Sequence, residues 1–302
     1  MNDWDPVTRA RRAVEPFGLE LRDGEVIRHT GSVLVRGRSE GVLVRLDPTD
    51  AGPAAHRQVA VATMLAHLGV PAARIAAALS GPAPRLVDGW WVTVWELLDV
   101  LDVQVPAADL GRLARRLHRA SAGLDASEVT TLPKLDPFAG IDAQLATSID
   151  DPDATLLAGV RAELRSEWDA LSPDPLGDAL VHGDLHGDNV VATASGPTLV
   201  DFELSGWGGA TYDLAARVVV HRRYGGSAAE LESFVATYGP PAETAVGWPG
   251  LEVLTRTFAL WTTSWAVANR HRSPRHATEA DLRVGWWREG APVDPTPTWT
   301  VL

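Results

Sequence analysis

Residues Ala179–Gly206 read ALVHGDLHGDNVVATASGPTLVDFELSG. Eight consecutive residues carry His182, Asp184, His186, Asp188 and Asn189; a short apolar run, a turn and a second apolar run ending in Asp201 follow. Polar groups packed this densely beside strand-like segments are costly to bury unless something pairs with them. Three readings are open: direct metal ligands, groups that hold phosphate through a metal, or a solvated loop.

NVVAT and TLVDF are joined by ASGP, and Gly196 and Pro197 are turn residues. Antiparallel pairing about Ser195 sets Val190 opposite Val200, Ala192 opposite Thr198 and Asn189 beside Asp201. Side chains so paired stand about 5 Å apart at Cβ. An amide oxygen and a carboxylate at that separation can share a hard divalent cation such as Mg²⁺, which prefers oxygen and completes its shell with water and phosphate. A register slip would undo this pairing.

Asp184 begins a second pattern: His182-x-Asp184, four residues, Asn189, then Asp201-Phe202. This is the spacing of H-R-D-x-x-x-x-N followed by D-F-G, in which the first Asp is the base and the Asn and second Asp hold magnesium. A competing reading makes the segment a metal-dependent hydrolase. His182, Asp184, His186 and Asp188 alternate, so a strand would present all four on one face, as zinc or manganese would require. That reading leaves Asn189 and DFE unexplained, and no HExxH accompanies it. A nucleotide-binding pseudokinase is the non-enzymatic alternative.

The bulk composition narrows the classes. The chain has 302 residues, 45% apolar and 22% charged, enough for one large domain or two lobes. It has no cysteine, which excludes disulfides, thiolate zinc sites and cysteine nucleophiles. The formal net charge is −12, and the basic runs RARR and RHRSPRH are short and isolated. Nucleic acid is therefore not expected as a partner; an acidic surface suits solubility first and a cationic small substrate second. No apolar stretch is long enough to span a membrane, and the charged start lacks the apolar core of a signal peptide. The expectation is cytoplasmic; oligomeric state is not readable.

Working outward, EVIRH, SVLVRG, GVLVRLDP and WWVTVWELL read as strands rich in β-branched and aromatic residues. Between the last two, a helix over His56–Leu68 has Val61, Met64, Leu65 and Leu68 on one face and is stopped by Gly69 and Pro71. Beyond Asp99 helical periodicity dominates: Leu110, Leu113, Ala114 and Leu117; then Leu157, Val160, Leu164, Trp168 and Leu171. Ser227 and Glu230 form a capping box, with Gly239 as the stop. A last long helix spans Leu251 to about Ala268 and buries Leu254, Phe258, Trp261 and Trp265. The tail PVDPTPTW is too proline-rich for a helix.

HGDLHGDN followed by DFE resembles the aminoglycoside phosphotransferase and choline kinase superfamily, the small-molecule relatives of protein kinases, over nearly the whole chain. The resemblance implies an α+β, bilobal protein-kinase-like fold with a small antiparallel-sheet N-lobe and a larger helical C-lobe. Residues 1–98 would form the nucleotide-binding lobe, and 99–302 the helical lobe with the catalytic loop and substrate site. It further implies ATP-dependent transfer of a γ-phosphate to a hydroxyl of a small cationic or polyhydroxylated molecule, such as an aminoglycoside-like antibiotic or amino sugar. The cofactors would be Mg²⁺ and ATP, with GTP also compatible.

At matching positions Asp184 would orient and deprotonate the acceptor hydroxyl, and Asn189 and Asp201 would ligate magnesium. The backbone of Glu96 and Leu98 would meet the adenine. Thr30-Gly31-Ser32 would cover the phosphates, with Ser32 or a backbone N–H donating, and Asp213 would brace the catalytic loop or cap the helix that follows. His182 would hydrogen-bond the loop backbone; His186 and Asp188 receive no role. Two positions depart from the family pattern. Arg45 stands where the phosphate-binding lysine is usual, which preserves charge but changes geometry. Gln58 stands where its glutamate partner is usual, able to hydrogen-bond Arg45 but not to pair with it. Glu203, Glu230, Glu232, Glu279 and Asp281 are acidic groups available to a cationic acceptor.

Overall fold

The computed structural model describes residues 5–77, 81, 83–291 and 298–301, so most of the PVDPTPTW tail lies outside the described residues. The chain runs α1 (Pro6–Val14), β1 (Glu25–Thr30), β2 (Ser32–Gly37), β3 (Val42–Pro48), α2 (Gly52–His67), β4 (Arg85–Val87) and β5 (Trp90–Glu96). Then come α3 (Ala107–Ser121), α4 (Ala126–Val129), α5 (Pro137–Ala146), α6 (Pro152–Asp169), β6 (Asp178–Val181), β7 (Val190–Thr193), β8 (Gly196–Leu199) and β9 (Gly206–Gly209). The remainder is helical: α7 (Thr211–Arg223), α8 (Ala228–Tyr238), α9 (Pro240–Val246), α10 (Gly250–Ala268) and α11 (Pro274–Arg288).

These elements form two compact units. The first comprises Met1–Gln104, Leu124–Pro133 and Asn189–Ser205; the second comprises Val105–Gly123, Lys134–Asp188 and Gly206–Leu302. The first unit thus reaches past residue 98 to include the β7–β8 hairpin, which is stitched on by backbone bonds from Ala73 N–H to the Leu199 carbonyl and from Leu101 N–H to the Ala192 carbonyl.

The first unit is built on an antiparallel sheet of order β1-β2-β3-β5-β4. One face of the sheet, with Val33, Val35, Val44, Leu46, Val92 and Val94, packs against Ala10, Ala13 and Val14 of α1 and the following Phe17 and Leu21. Helix α1 was not foreseen because its apolar face is only Ala10, Ala13 and Val14 in an arginine-rich segment; its signal was the Asp5–Pro6 start, where Asp5 caps Val7 and Thr8. Helix α2 starts four residues before the expected His56, with proline in its first turn. It buries Ala55, Gln58, Val61, Ala62 and Leu65 rather than a face containing Met64 and Leu68.

The second unit is mainly helical. Helix α10 packs against α5, α6, α7 and α11. It is buried over most of its circumference, Leu254 and Phe258 fully, whereas Trp261 and Trp265 are only half-buried. The capping box at Ser227 forms as expected: Ser227 Oγ accepts from Glu230 N–H, and the Glu230 carboxylate accepts from Ser227 N–H at 2.8 Å. Helix α11 was missed; its start is Ser273–Pro274, with the serine hydroxyl accepting from His276 N–H. Among the described residues no helix is long and apolar enough to cross a membrane.

Candidate active site

The hairpin is the first correction. Val190 pairs with Leu199, Val191 with Thr198, Ala192 with Pro197 and Thr193 with Gly196. The register is therefore one residue off the pairing about Ser195. It sets the two buried residues Val190 and Leu199 opposite each other, as burial of one face demands. Thr193 supports the tighter turn, its hydroxyl accepting from Ser195 N–H at 3.3 Å and lying 2.9 Å from the Gly196 carbonyl. Asn189 accordingly faces Val200, whose N–H donates to the Asn189 carbonyl at 3.0 Å. Asp201 is one residue further on and adopts a left-handed backbone at φ 62°, a conformation aspartate tolerates better than most residues.

Asp201 does not stand alone. Arg45 Nη1 lies 3.3 Å from one carboxylate oxygen, bridging positions 156 residues apart, and Arg28 lies 3.9 Å from the other. Arg45 is buried, and its Nε donates to both oxygens of Asp47 at 2.9 and 3.0 Å. It also pairs with Glu203. Gln58, expected to hydrogen-bond Arg45, is buried with its Nε2 lacking a partner. The acidic partner of Arg45 is supplied by its own strand two residues on, where side chains share a face, and not by helix α2. Burial pushes the Asp47 carboxyl above its ordinary range despite the pull of Arg45, with Asp201 pushing the same way.

Gly31, at φ 77°, is the single residue between the paired Thr30 and Ser32, so the segment expected to cover phosphates is a tight one-residue turn. Ser32 is buried, and its hydroxyl is 3.5 Å from Arg28 Nη2. At the end of β5, Glu96 gives its N–H to the Arg74 carbonyl and Leu97 to the Gly41 carbonyl, while the Leu98 N–H is outside these pairings.

The second unit holds Asp184. Asp213, fully buried on α7, accepts from the backbone N–H groups of His182 at 3.0 Å and Gly183 at 2.9 Å. It therefore braces the loop and does not cap α7; Asp174 takes the capping role, accepting from Thr211 N–H and hydroxyl. His118 Nε2 lies 2.9 Å from Asp213, and its Nδ1 lies 2.9 Å from the Tyr238 hydroxyl. Ser121 Oγ accepts from Leu180 N–H at 2.9 Å. His118, Ser121 and Tyr238 escaped the sequence reading because each sits within an ordinary helical pattern; only the fold aligns them behind the loop.

His182 is buried and its Nδ1 accepts from Asp184 N–H at 3.4 Å, as expected of a structural histidine. His186 Nε2 is 3.4 Å from the Asp184 carboxylate and its Nδ1 is 3.7 Å from that of Asp188. Burial pushes the His186 pKa down, but the hydrogen bond and charge of Asp184, then Asp188, outweigh it and hold the imidazole above its usual value.

The hydrolase alternative does not survive this geometry. Strand β6 ends at Val181, so the four alternating residues lie on a loop and a short 3₁₀ turn and share no strand face. Among the described residues no group of three or more His, Cys, Asp or Glu side chains is arranged to hold a metal. Asn189 and Asp201 instead offer two hard oxygen donors, which fits an ion that keeps most of its shell for water and phosphate. Of the acids offered to a cationic acceptor, Glu203 is paired with Arg45, Glu230 serves the capping box, Glu279 is buried against Arg283 at 2.8 Å, and Asp281 meets Arg270 at 3.0 Å. Glu232 is exposed.

Residues 29–254 match the phosphotransferase enzyme family, APH, and the chain belongs to it. No curated protein matches by sequence. Among solved structures, the chain is similar to the amicoumacin kinase hAmiN in complex with AMP-PNP, Ca²⁺ and Ami, at 13% identity and TM-score 0.75, over 97% of this chain and 96% of that one. It is also similar to a microcompartment-associated aminopropanol kinase, at 19% identity and TM-score 0.67, over 96% and 100%. A choline/ethanolamine kinase family protein from Mesorhizobium loti gives 18% identity and TM-score 0.63, over 93% and 92%. These likenesses carry the fold, which is protein-kinase-like: a five-stranded antiparallel sheet unit and a helical unit.

Proposed function

We propose that this phosphotransferase moves the γ-phosphate of ATP to a hydroxyl of a small aminated or polyhydroxylated acceptor, a class that includes aminoglycoside-like antibiotics, amino sugars and amino alcohols. The observation that carries the reading is the Arg45–Asp201 ion pair at 3.3 Å: a phosphate-seeking guanidinium and a metal-seeking carboxylate meet from distant parts of the chain. In this reading Asn189 and Asp201 hold Mg²⁺, and Arg45 and Ser32 contact the phosphates. The Leu98 N–H and Glu96 carbonyl take the adenine. Residues 1–98, together with the hairpin of the same unit that carries Asn189 and Asp201, bind MgATP, and the helical unit binds the acceptor.

Bound Mg²⁺ supplies neutralisation of the charge that spreads over the transferring group. Arg45 adds a fixed positive charge, and its buried bond to Asp47 limits where that charge can point. Asp184 accepts the acceptor's hydroxyl proton and fixes its oxygen for attack, and Asp213 holds the Asp184 loop by its backbone. The acceptors named for similar kinases, aminopropanol and choline or ethanolamine, combine an alcohol with an amine or ammonium group, and the net charge of −12 is compatible with a cation.

A coupled nucleotide-turnover screen over hydroxylated amines, with Asp184→Ala as the blank, tests the reading and separates an enzyme from a nucleotide-binding scaffold. The expected result is acceptor-dependent ADP release that falls by ~10²–10⁴ in the variant. Equal turnover in both proteins would remove Asp184 from the mechanism.

A further inference from the structure

Strand β1 carries a bulge. Glu25 and Val26 pair with Arg36 and Val35, but Arg28, His29 and Thr30 pair with Leu34, Val33 and Ser32, so Ile27 is an extra residue. A bulge re-aims the side chains beside it, and bulges recur next to active sites. Without the extra residue Arg28 would oppose Val33, on the face that packs against α1. With it, Arg28 opposes Leu34, Leu34 opposes Arg45, and Arg45 opposes Thr93. Directly opposed residues share a face of the sheet, so Arg28 and Arg45 lie in one cross-strand row on the face away from α1.

The two arginines are committed to different degrees. All three guanidinium nitrogens of Arg45 are engaged, Nε by Asp47, Nη1 by Asp201 and Nη2 by Glu203. Its side chain is 7% exposed, so a phosphate at Arg45 competes with three acids in a buried setting. The Arg28 side chain is 44% exposed. Among the described residues its one carboxylate contact is Asp201, at 3.9 Å, and its Nη2 lies 3.5 Å from the Ser32 hydroxyl. An exposed ion pair of that length contributes little to stability, so holding the fold together does not account for a bulge that delivers Arg28 to Asp201 and Ser32.

Resting on the phosphotransferase reading, we infer that Arg28 is a second phosphate-binding cation of the nucleotide site: it contacts the terminal phosphates of ATP directly, and Asp201 is the resting partner it leaves when nucleotide and metal bind. Its guanidinium presents a fork of donors suited to phosphate oxygens. Once Asp201 is taken up by a metal ion, Arg28 loses its acidic partner and gains the phosphates beside it. Arg28 then supplies the mobile positive charge and the carboxylate-bound Arg45 the fixed one, both within the same compact unit as Asn189 and Asp201.

The test is calorimetric binding of ATP and of adenosine, with and without Mg²⁺, to the full chain as wild type, Arg28→Met, Arg28→Lys and Arg22→Met. Arg22, an exposed arginine of the same unit, controls for the loss of one positive charge. Arg28→Met is expected to lose about tenfold or more in ATP affinity already without Mg²⁺, the size of one charge-assisted hydrogen bond, and Arg28→Lys to recover part of it. Adenosine binding, the Mg²⁺-dependent gain and the Tm without nucleotide stay at their wild-type values. Full Mg²⁺-free ATP affinity in Arg28→Met overturns the inference, as does an equal loss in Arg22→Met. A loss confined to the Mg²⁺-dependent gain overturns it too, since Arg28 would then only orient Asp201; so does a parallel fall in adenosine binding and Tm, which marks a structural role. A wild type that binds no ATP sinks the phosphotransferase reading itself, whereas ATP bound equally by wild type and Arg28→Met sinks the assignment of Arg28 alone.

Discussion

At the scale of single residues, Asp47 takes the place beside Arg45 that the family resemblance assigns to Gln58. Gln58 is buried with its amide nitrogen unpartnered, while Asp47 takes Arg45 through both carboxylate oxygens. Removing one member of a buried pair costs about 3–5 kcal/mol where the other charge is stranded; Asp201 and Glu203 remain beside Arg45, so the cost here is smaller. Asp47→Ala is expected to lower stability by about 1–3 kcal/mol in urea unfolding and to raise KM for MgATP, whereas Gln58→Ala leaves that KM unchanged. Equal effects of the two substitutions on KM would return the role to α2. His186 gives a pH-dependent check. Its folded pKa is raised above 6.5 through Asp184 and Asp188, so its contribution to stability is fully present below the unfolded value and lost as pH rises through the folded one. NMR titration of the metal-free protein should find the imidazole titrating above 6.5, and lower in Asp184→Asn. A wild-type value at or below 6.5 would refute the coupling.

At the scale of elements, helix–helix contact depends on small residues at defined points. Gly111 on α3 faces α8 so closely that a Cβ there would fall on the Phe234 carbonyl oxygen and the Thr237 hydroxyl. Alanine would gain ~1 kcal/mol of helix propensity, but the clash is with backbone and cannot be relieved by a rotamer. Gly111→Ala is expected to destabilise by about 1–3 kcal/mol, read as a lower urea midpoint; a higher midpoint would show that α3 and α8 are less tightly apposed.

Elements also divide what was legible in the sequence from what was not. Strands β1, β2, β3 and β5, α3, α6, the Ser227 capping box and α10 followed from periodicity and end signals, most of them because they carry several apolar residues at one spacing. Helices α1 and α11 did not, since their apolar faces are thin and their Asp–Pro and Ser–Pro starts were not taken as helix starts. The hairpin register slipped by one because turn geometry decides it, and Thr193 hydrogen-bonding across ASGP is invisible in hydropathy. Motif spacing singled out Asp184, Asn189 and Asp201 as candidates. It did not single out Asp47, because an acid two residues from an arginine on a strand has no motif to mark it.

At the scale of the whole molecule, the proposed function divides labour between two compact units, the nucleotide and metal groups in the one containing Arg45, Asn189 and Asp201 and the proposed acceptor base Asp184 in the other. Membership of the phosphotransferase family over residues 29–254 spans both. If the division is right, the two carboxylates fail differently when removed. The most direct measurement is calorimetric binding of ATP, with and without Mg²⁺, to wild type, Asp184→Ala and Asp201→Ala. The account predicts that Mg²⁺ tightens ATP binding to wild type and to Asp184→Ala alike, and that this Mg²⁺-dependent gain is lost in Asp201→Ala. A full Mg²⁺-dependent gain in Asp201→Ala, or its loss in Asp184→Ala, would contradict it.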